Sequence, residues 1–462
     1  MAPSRRKRPV LPSPSQDSRK LSLVSSVAVV IGNMVGIGIF LTPAEVAKAS
    51  PGIWAYLGIW LIGTLMAAAG AQVYAQLGTL FPKAGGDYRF LYEAYGPRPA
   101  KAWGWLSIFG CFPGSIATLA VGVTATLSQT SMGGALNNPI VSLGFIHVTP
   151  ALLVGLALIW LSTAINVAGL SLSGKTQLLV TLIPILVFVV VGFAAASGET
   201  TPRAAQAAPA VFDFGKLTTA FCAVFFTYSG WNVITYLGSE IHRPKVNIPR
   251  VILLAMLATT GIFFILNMSF LAVIPLPDLA QTQNAGVAVA TSLFGDIGQD
   301  VFGILLAMAI VAGLNATVMA GSRITMAMAQ DGQIWTGLAK LSGPRQTPER
   351  ALVFQAIISS LLVLSGSFSF LITVTGGVMI VLSCLTVSTV FVFNRKLCIR
   401  PSKRLPGYPW TGVLYLVTGG AISVLIAIDG FWWFLAGACI FVLLMFLDYL
   451  NPIRLIRRMR HT

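Results

Sequence analysis

Charge is scarce in this chain. Asp, Glu, Lys and Arg make up 10% of its 462 residues, where a soluble domain carries about 25%. That shortage excludes water as the solvent for most of the surface. Histidine is scarcer still: His147, His242 and His461 are the full set. No His-x-x-x-His, Gly-x-Ser-x-Gly or phosphate-binding loop occurs. Hydrolytic, metal-dependent and ATP-driven chemistry is therefore not expected, and no cofactor or metal is implied. Five cysteines (Cys111, Cys222, Cys384, Cys398, Cys439) show neither paired nor ligand spacing, and read as small packing residues.

What is present is apolar: 56% of the residues, with a mean hydropathy of +0.82. An apolar layer about 30 Å thick takes about 20 helical residues to cross. That ruler marks approximate spans at 21–50, 52–80, 100–128, 149–169, 175–196, 215–240, 249–274, 301–330, 351–366, 368–393, 411–428 and 431–450. The expected fold is an all-α membrane protein with twelve transmembrane helices. One membrane domain, 21–450, lies between a basic Pro/Ser-rich tail at 1–20 and a basic tail at 451–462. The segment after residue 20 is too long for a signal-peptide core and is expected to be retained.

The net charge is +16. With a cytoplasmic N-terminus and alternating spans, 27 of the 30 Lys and Arg fall on the cytoplasmic side, leaving Lys48, Arg203 and Lys216 outside. This is the positive-inside bias, with anionic lipid headgroups as partner. Nucleic-acid binding has no motif here. The expected location is a plasma membrane, multi-pass, with both termini cytoplasmic.

Two spans are interrupted by glycine. The first reads Ile31-Gly32-Asn33-Met34-Val35-Gly36-Ile37-Gly38-Ile39-Phe40, and the sixth Phe225-Phe226-Thr227-Tyr228-Ser229-Gly230-Trp231-Asn232. An offset of five spans places the two in halves of opposite orientation. Gly32-xxx-Gly36 alone also suits close helix packing. Matching breaks in inverted halves point instead to a transporter binding site. A broken helix in lipid persists only where it is buried in protein or lines a polar cavity. Freed N–H groups at one half-helix and freed C=O groups at another suit a ligand with a carboxylate and an ammonium. An α-amino acid is such a ligand.

These stretches resemble the amino acid–polyamine–organocation superfamily, and within it the L-type amino acid transporter branch. GNMVGIGIF, FPKAGGDYRFLYEAYG (81–96), FTYSGWNVITYLGSEIHRPKVNIPR (226–250) and GLNATVMAGSRITMAMAQDG (313–332) carry the resemblance, over about residues 20–450. It implies a LeuT-like five-plus-five inverted repeat, about 21–197 and 215–393, with broken helices 1 and 6 and extra helices about 411–450. It implies a secondary carrier working by alternating access. The substrate carboxylate would sit on backbone N–H groups around Gly36, Ile37 and Gly38. The ammonium would sit on the carbonyls of Met34, Phe226 and Ser229. Phe226 matches an aromatic that closes over the substrate, and Asn232 a polar residue near the site. Tyr228, Gly230 and Trp231 belong to the same break.

The sequence departs from the branch in three ways. Where many members carry a Lys in span five, this chain has Thr181 or Pro184 as the coupling position. Asn232 stands where arginine–agmatine exchangers have an acid. No cysteine lies in the loop between spans three and four, so a disulfide-linked heavy subunit is not expected and the carrier is expected to be of bacterial type. Glu45, Glu240 and Asp429 lie away from both breaks along the chain, which favours neutral substrates. Arg323 is a gate candidate, with Asp87 or Glu93 as partner. Glu240, His242, Arg243 and Lys245 read as an ion-paired or solvated loop rather than a proton relay. Exchange of neutral amino acids is the expected activity, with proton or sodium symport as alternatives and a membrane amino acid sensor or a channel as a different class.

Overall fold

A computed structural model of the chain describes residues 21–143, 146–197, 214–342, 346–365, 368–396, 407–429, 439 and 441–445. Both tails, Arg203, Cys398 and most of the expected twelfth span lie outside the described residues. The fold is helical, with one small antiparallel hairpin. Its order is α1 (Leu23–Met34), α2 (Gly38–Lys48), α3 (Ile53–Leu80), α4 (Gly86–Tyr95), α5 (Pro97–Leu106) and α6 (Phe112–Leu127). Then come β1 (Val141–Leu143), β2 (Ile146–Val148), α7 (Pro150–Val167), α8 (Leu170–Ser197), α9 (Phe214–Tyr228) and α10 (Val233–Tyr236). The chain continues through α11 (Pro244–Val273), α12 (Leu276–Leu279), α13 (Ala285–Gln330), α14 (Glu349–Ser365), α15 (Phe368–Lys396) and α16 (Trp410–Asp429).

Among the described residues seven helical stretches are long and apolar enough to cross a membrane, and the bent pair α1–α2 makes an eighth. Large apolar side chains such as Trp54, Leu186 and Leu257 stay exposed on the outside of the bundle, as expected of a surface solvated by lipid.

Local chemistry sets the helix ends. The Ser22 and Thr149 hydroxyls accept from the N–H of Ser25 and Leu152, capping α1 and α7. The third expected span is α5 and α6 joined by a π-helical turn at Ser107–Cys111. Three starts differ from the expectation by about five residues, the fifth span beginning at Leu170 rather than 175. The seventh span starts at Pro244 rather than 249, because a proline at the first helical position gives up only an N–H that has no intrahelical partner. In the eighth, a break at Gly295 (φ 63°) divides α13 into two helices, and the longer one, which runs on to Gln330, starts just past that break rather than at 301.

Around the centre, α1 is packed against α8, α11 and α13. A Cβ on Gly313 would come within 3.3 Å of the Gly32 carbonyl oxygen, so glycine there lets α13 approach the broken helix closely. At one end of the bundle the chain entering α1 is clamped by backbone pairing: Leu21 N–H donates to Glu240 O (3.2 Å) and His242 N–H to Leu21 O (3.3 Å). Beside it, the Arg89 guanidinium pairs with Asp331 at 3.0 Å and the Tyr88 hydroxyl donates to Asp331 at 3.1 Å.

Candidate functional site

Helix α1 ends at Met34 and α2 begins at Gly38, with a bend of 42° between them. Val35 leaves helical dihedrals (φ −84°, ψ 88°), and Gly36 N–H folds back onto Met34 O at 3.1 Å. Phe40 and Leu41 are the first to donate into α2, both to Ile37 O (3.1 and 3.2 Å). The N–H groups of Ile37, Gly38 and Ile39 stand ahead of them, where a helix supplies no carbonyl. They form the positive end of α2.

The second break faces the first. Helix α9 ends at Tyr228 and the chain turns at Gly230, whose φ of +115° suits glycine. Asn33 ties the two breaks together: its amide donates to Gly230 O at 3.3 Å, and its Oδ1 accepts from the Thr317 hydroxyl of α13 at 3.2 Å. Thr42 and Thr227 share a hydroxyl contact of 2.6 Å that clips α2 to α9. Asn33 sits in the first glycine string, and its donor and acceptor amide in an apolar run was the signal for this bridge.

A cavity of about 200 Å³ lies between these elements. Met34, Gly36, Ile37, Gly38, Phe226, Ser229, Gly230 and Asn232 all line it, so the fold gathers eight of the sequence-derived positions around one space. Tyr228 does not join them. Its hydroxyl accepts from Thr64 at 2.7 Å and its ring packs on Trp60 and Phe263, so it serves α3 and α11 instead. The neighbouring Trp231 is the aromatic that reaches the cavity, packed against Phe225 and Tyr415. The carbonyl of Phe226 already accepts from Ser229 N–H (3.0 Å) and the Ser229 hydroxyl (2.6 Å). Both lone pairs are thereby used, which leaves Met34 and Ser229 as the better-placed carbonyls for an ammonium.

Arg323 is buried and meets Glu240 in a two-pronged pair, Nε to Oε1 and Nη2 to Oε2, each 2.9 Å. The expected partners Asp87 and Glu93 are occupied elsewhere: Asp87 faces Tyr236, and Glu93 lies 3.8 Å from Arg89. The turn at Gly238–Glu240 after α10 is what brings Glu240 to Arg323 on α13.

Thr181 lies in a buried polar ladder. Its hydroxyl approaches Ala28 O at 3.4 Å and accepts from Gln177 Nε2 at 3.2 Å. Gln177 also donates to Ala312 O (3.1 Å) and accepts from Asn315 (2.8 Å), which accepts from Asn166 (2.8 Å). A Cβ on Gly32 would collide with Gln177 and Thr181. The residue against the first break is therefore Gln177 as much as Thr181; Pro184 lies about one turn further along α8.

The reading that no acid lies near a break holds along the chain and fails in space. Asp87, on α4, lines the same cavity. Its Oδ2 accepts from the Tyr236 hydroxyl at 2.6 Å, and that hydroxyl accepts from the Asn232 amide at 3.0 Å. Burial raises the Asp87 carboxyl to about 7, against the opposing pull of Tyr236, then Tyr74 and Asn232. Among the described residues no cluster of three or more His, Cys, Asp or Glu could hold a metal.

The arrangement offers helix-end N–H groups, two carbonyls with a lone pair to spare and an aromatic lid position around one chamber. Residues 21–451 match the family model described as amino acid permease. The chain is 26% identical over 402 residues to the human b(0,+)-type amino acid transporter 1, covering 85% of this chain and 80% of that protein. It is 26% identical over 355 residues to the mouse Asc-type amino acid transporter 1, covering 75% and 65%. It is 24% identical over 385 residues to the mouse large neutral amino acids transporter small subunit 2, covering 82% and 71%.

Proposed function

The chain belongs to the amino acid permease family, and from that premise we propose that it exchanges neutral α-amino acids across a cell membrane by alternating access. The family is one of multi-pass membrane transporters, and the chain is not an enzyme. The observation that carries the proposal is the pairing of the two helix breaks across Asn33 and Gly230 at the wall of one cavity. In this reading the substrate carboxylate rests on the N–H groups of Ile37 and Gly38 at the start of α2, with Gly36, whose N–H is turned onto Met34 O, leaving room for its approach. The ammonium rests on the carbonyls of Met34 and Ser229, and Phe226 closes over both. Asn232 supplies a polar contact at the floor. Neutral side chains are favoured because the acid at the cavity, Asp87, already accepts from Tyr236 and burial disfavours its charged form.

The full architecture proposed is twelve helices, with α1 through α8 and α9 through α15 as inverted halves. The positive-inside bias orients the Arg323–Glu240 end toward the cytoplasm, in a bacterial inner membrane. The absence of cysteine from 129–148 supports a carrier without a disulfide-linked heavy subunit.

Reconstituted protein tests this. Proteoliposomes are given radiolabelled alanine, serine, leucine or phenylalanine in sodium-free buffer at symmetric pH, with and without the same amino acid inside. Uptake that depends on internal substrate is the expected result. Binding without flux under any gradient would reassign the chain as a sensor.

A further inference from the structure

The cavity has an inner end that the amino acid reading does not use. There Asp87 is buried, 3% exposed, and Oδ1 of its carboxyl has no hydrogen-bond partner. The Tyr74 hydroxyl acts on this carboxyl without completing a well-formed hydrogen bond to it, and the indole N–H groups of Trp103 and Trp231, whose side chains line the same cavity, are without partners. A buried carboxylate with an open oxygen and no cation beside it is costly in its charged form. Such a group either binds a cation or takes up a proton.

The charged groups on the packed elements are committed elsewhere. On α4, Arg89 pairs with Asp331 and Glu93; on α13, Arg323 pairs with Glu240; on α15, Lys396 donates to Ala94 O at 2.7 Å. Arg98 and Lys101 on α5 and Arg395 on α15 each have interactions of their own. The groups acting on Asp87 itself are Tyr74 of α3, Cys111 of the π-helical turn, Tyr236 of α10 and Tyr415 of α16, all uncharged at neutral pH.

We propose that Asp87 is a proton-binding site of the transport cavity, and that its charge state is relayed through the Tyr236 hydroxyl to the Asn232 amide in the substrate chamber. The relay rests on the reading of that chamber as an amino acid site. With the carboxylate ionised, Tyr236 donates to Asp87 and its oxygen accepts from the Asn232 amide, the arrangement seen here. A proton arriving from cavity water adds to Oδ1 and makes the carboxyl a weaker acceptor. The Tyr236 hydrogen is then free to turn toward Asn232, which reverses the hydrogen-bond polarity at the chamber floor. Burial raises the carboxyl to about 7, so both charge states are populated near neutral pH.

Infrared difference spectra of the purified full chain, titrated from about pH 5 to about pH 9, test the site without any substrate. The expected result is a carboxylic acid C=O band that disappears with a midpoint near neutrality and is missing in Asp87→Asn. Absence of such a band, or its persistence in Asp87→Asn, overturns the proposal. Tyr236→Phe removes a hydrogen bond that favours the ionised form, so it should tighten proton binding about tenfold; an unmoved midpoint overturns the relay. In proteoliposomes exchanging alanine, wild-type apparent affinity should change with pH with a slope of up to about one log unit per pH unit. Asp87→Asn should be flat, holding at every pH the value that wild type reaches at low pH. A wild-type profile retained in Asp87→Asn overturns the coupling. If the spectra behave as expected while no neutral amino acid is bound or moved, the proton site stands and the neutral amino acid reading falls. If Asp87→Asn abolishes lysine binding and wild type shows no titrating band, the acid is a cation subsite and the proton site falls.

Discussion

Arg323 and Glu240 are 83 residues apart in sequence and lock together through two parallel hydrogen bonds of 2.9 Å. The guanidinium also donates to Met319 O at 3.1 Å and to the Ser322 hydroxyl at 2.9 Å. Four of its five N–H donors are thus engaged in a buried site. The pair joins α13 to the segment after α10, beside the point where Leu21 is clamped.

The first prediction follows from that pair. Arg323→Ala leaves Glu240 without its partner and removes one latch from the closed end. Glu240 keeps some solvent contact, its side chain 19% exposed, so the cost is discounted from the several kcal/mol of a fully buried pair to about 1–2 kcal/mol. That shifts a closed-to-open equilibrium about tenfold. Cys111 lines the cavity and reports on it: with the other four cysteines replaced, its labelling from the cytoplasmic side should accelerate about tenfold in Arg323→Ala. An unchanged rate would remove this pair from the gate.

The second prediction separates binding from packing at the first break. A Cβ on Gly36 meets nothing within 4 Å, whereas one on Gly38 lies 2.9 Å from Thr227 Oγ1 and 3.2 Å from Thr227 Cα. Gly36→Ala should weaken amino acid binding about tenfold or more while the melting temperature stays within a few degrees of wild type, because the methyl enters only the chamber. Gly38→Val should lose binding and stability together, because it forces α2 off α9. Normal affinity in both variants would move the carboxylate away from the start of α2.

These outcomes also mark how far the sequence could be read. Both breaks were legible because glycine in an apolar run is a local signal, and local signals survive folding. The same holds for the residues that flank them on the chain, from Met34 to Gly38 and from Phe226 to Asn232. Tyr228 was misplaced because a helix rotates its side chains by about 100° per residue, so Tyr228, two residues past the cavity-lining Phe226, faces the opposite way. The partners of Asp87 and Glu240 were not legible for a different reason, although Glu240 was rightly read as part of an ion-paired loop. Each reaches its partner through the folding of a short segment, α4 or the turn after α10, and no periodicity encodes that. The polar ladder of Gln177 and Asn315 was hidden because single amides in apolar helices look alike until their helices are packed.

The third prediction concerns pH and stability. The folded-state carboxyl of Asp87 lies above its unfolded value of 3.8, at about 7. The folded protein therefore binds a proton that the unfolded chain releases between those values. The stability linked to this proton is fully present below about pH 4 and is lost as pH rises through about 7. Between about pH 5 and about pH 8 the melting temperature of the wild type in detergent should fall, and that of Asp87→Asn should fall less. At about pH 8 the variant should be the more stable of the two, because it no longer ionises a buried group. Parallel melting curves for the two proteins would show that Asp87 titrates as an exposed acid.

The last prediction turns on the ladder beside the first break. Gln177 holds Ala312 O with one end and the Asn315 amide with the other, while Thr181 reaches Ala28 O. Ala312 O and Ala28 O are carbonyl oxygens of the kind a bound cation would take as ligands, and uncharged side chains already engage them. Exchange should therefore be indifferent to replacement of sodium by choline. Gln177→Leu leaves Ala312 O and the Asn315 amide short of a partner in the membrane interior, at about 1–3 kcal/mol for each unsatisfied group. It should lower the melting temperature by several degrees. Thr181→Val removes two long hydroxyl contacts, to Ala28 O and from the Gln177 amide, whose nitrogen keeps Ala312 O, and should cost about 1 kcal/mol. Sodium-independent exchange in wild type, together with a stability loss ordered Gln177→Leu above Thr181→Val, is the expected pattern. Sodium-stimulated exchange that vanishes in Thr181→Val would instead make this ladder an ion site, with the threonine hydroxyl as one of its ligands.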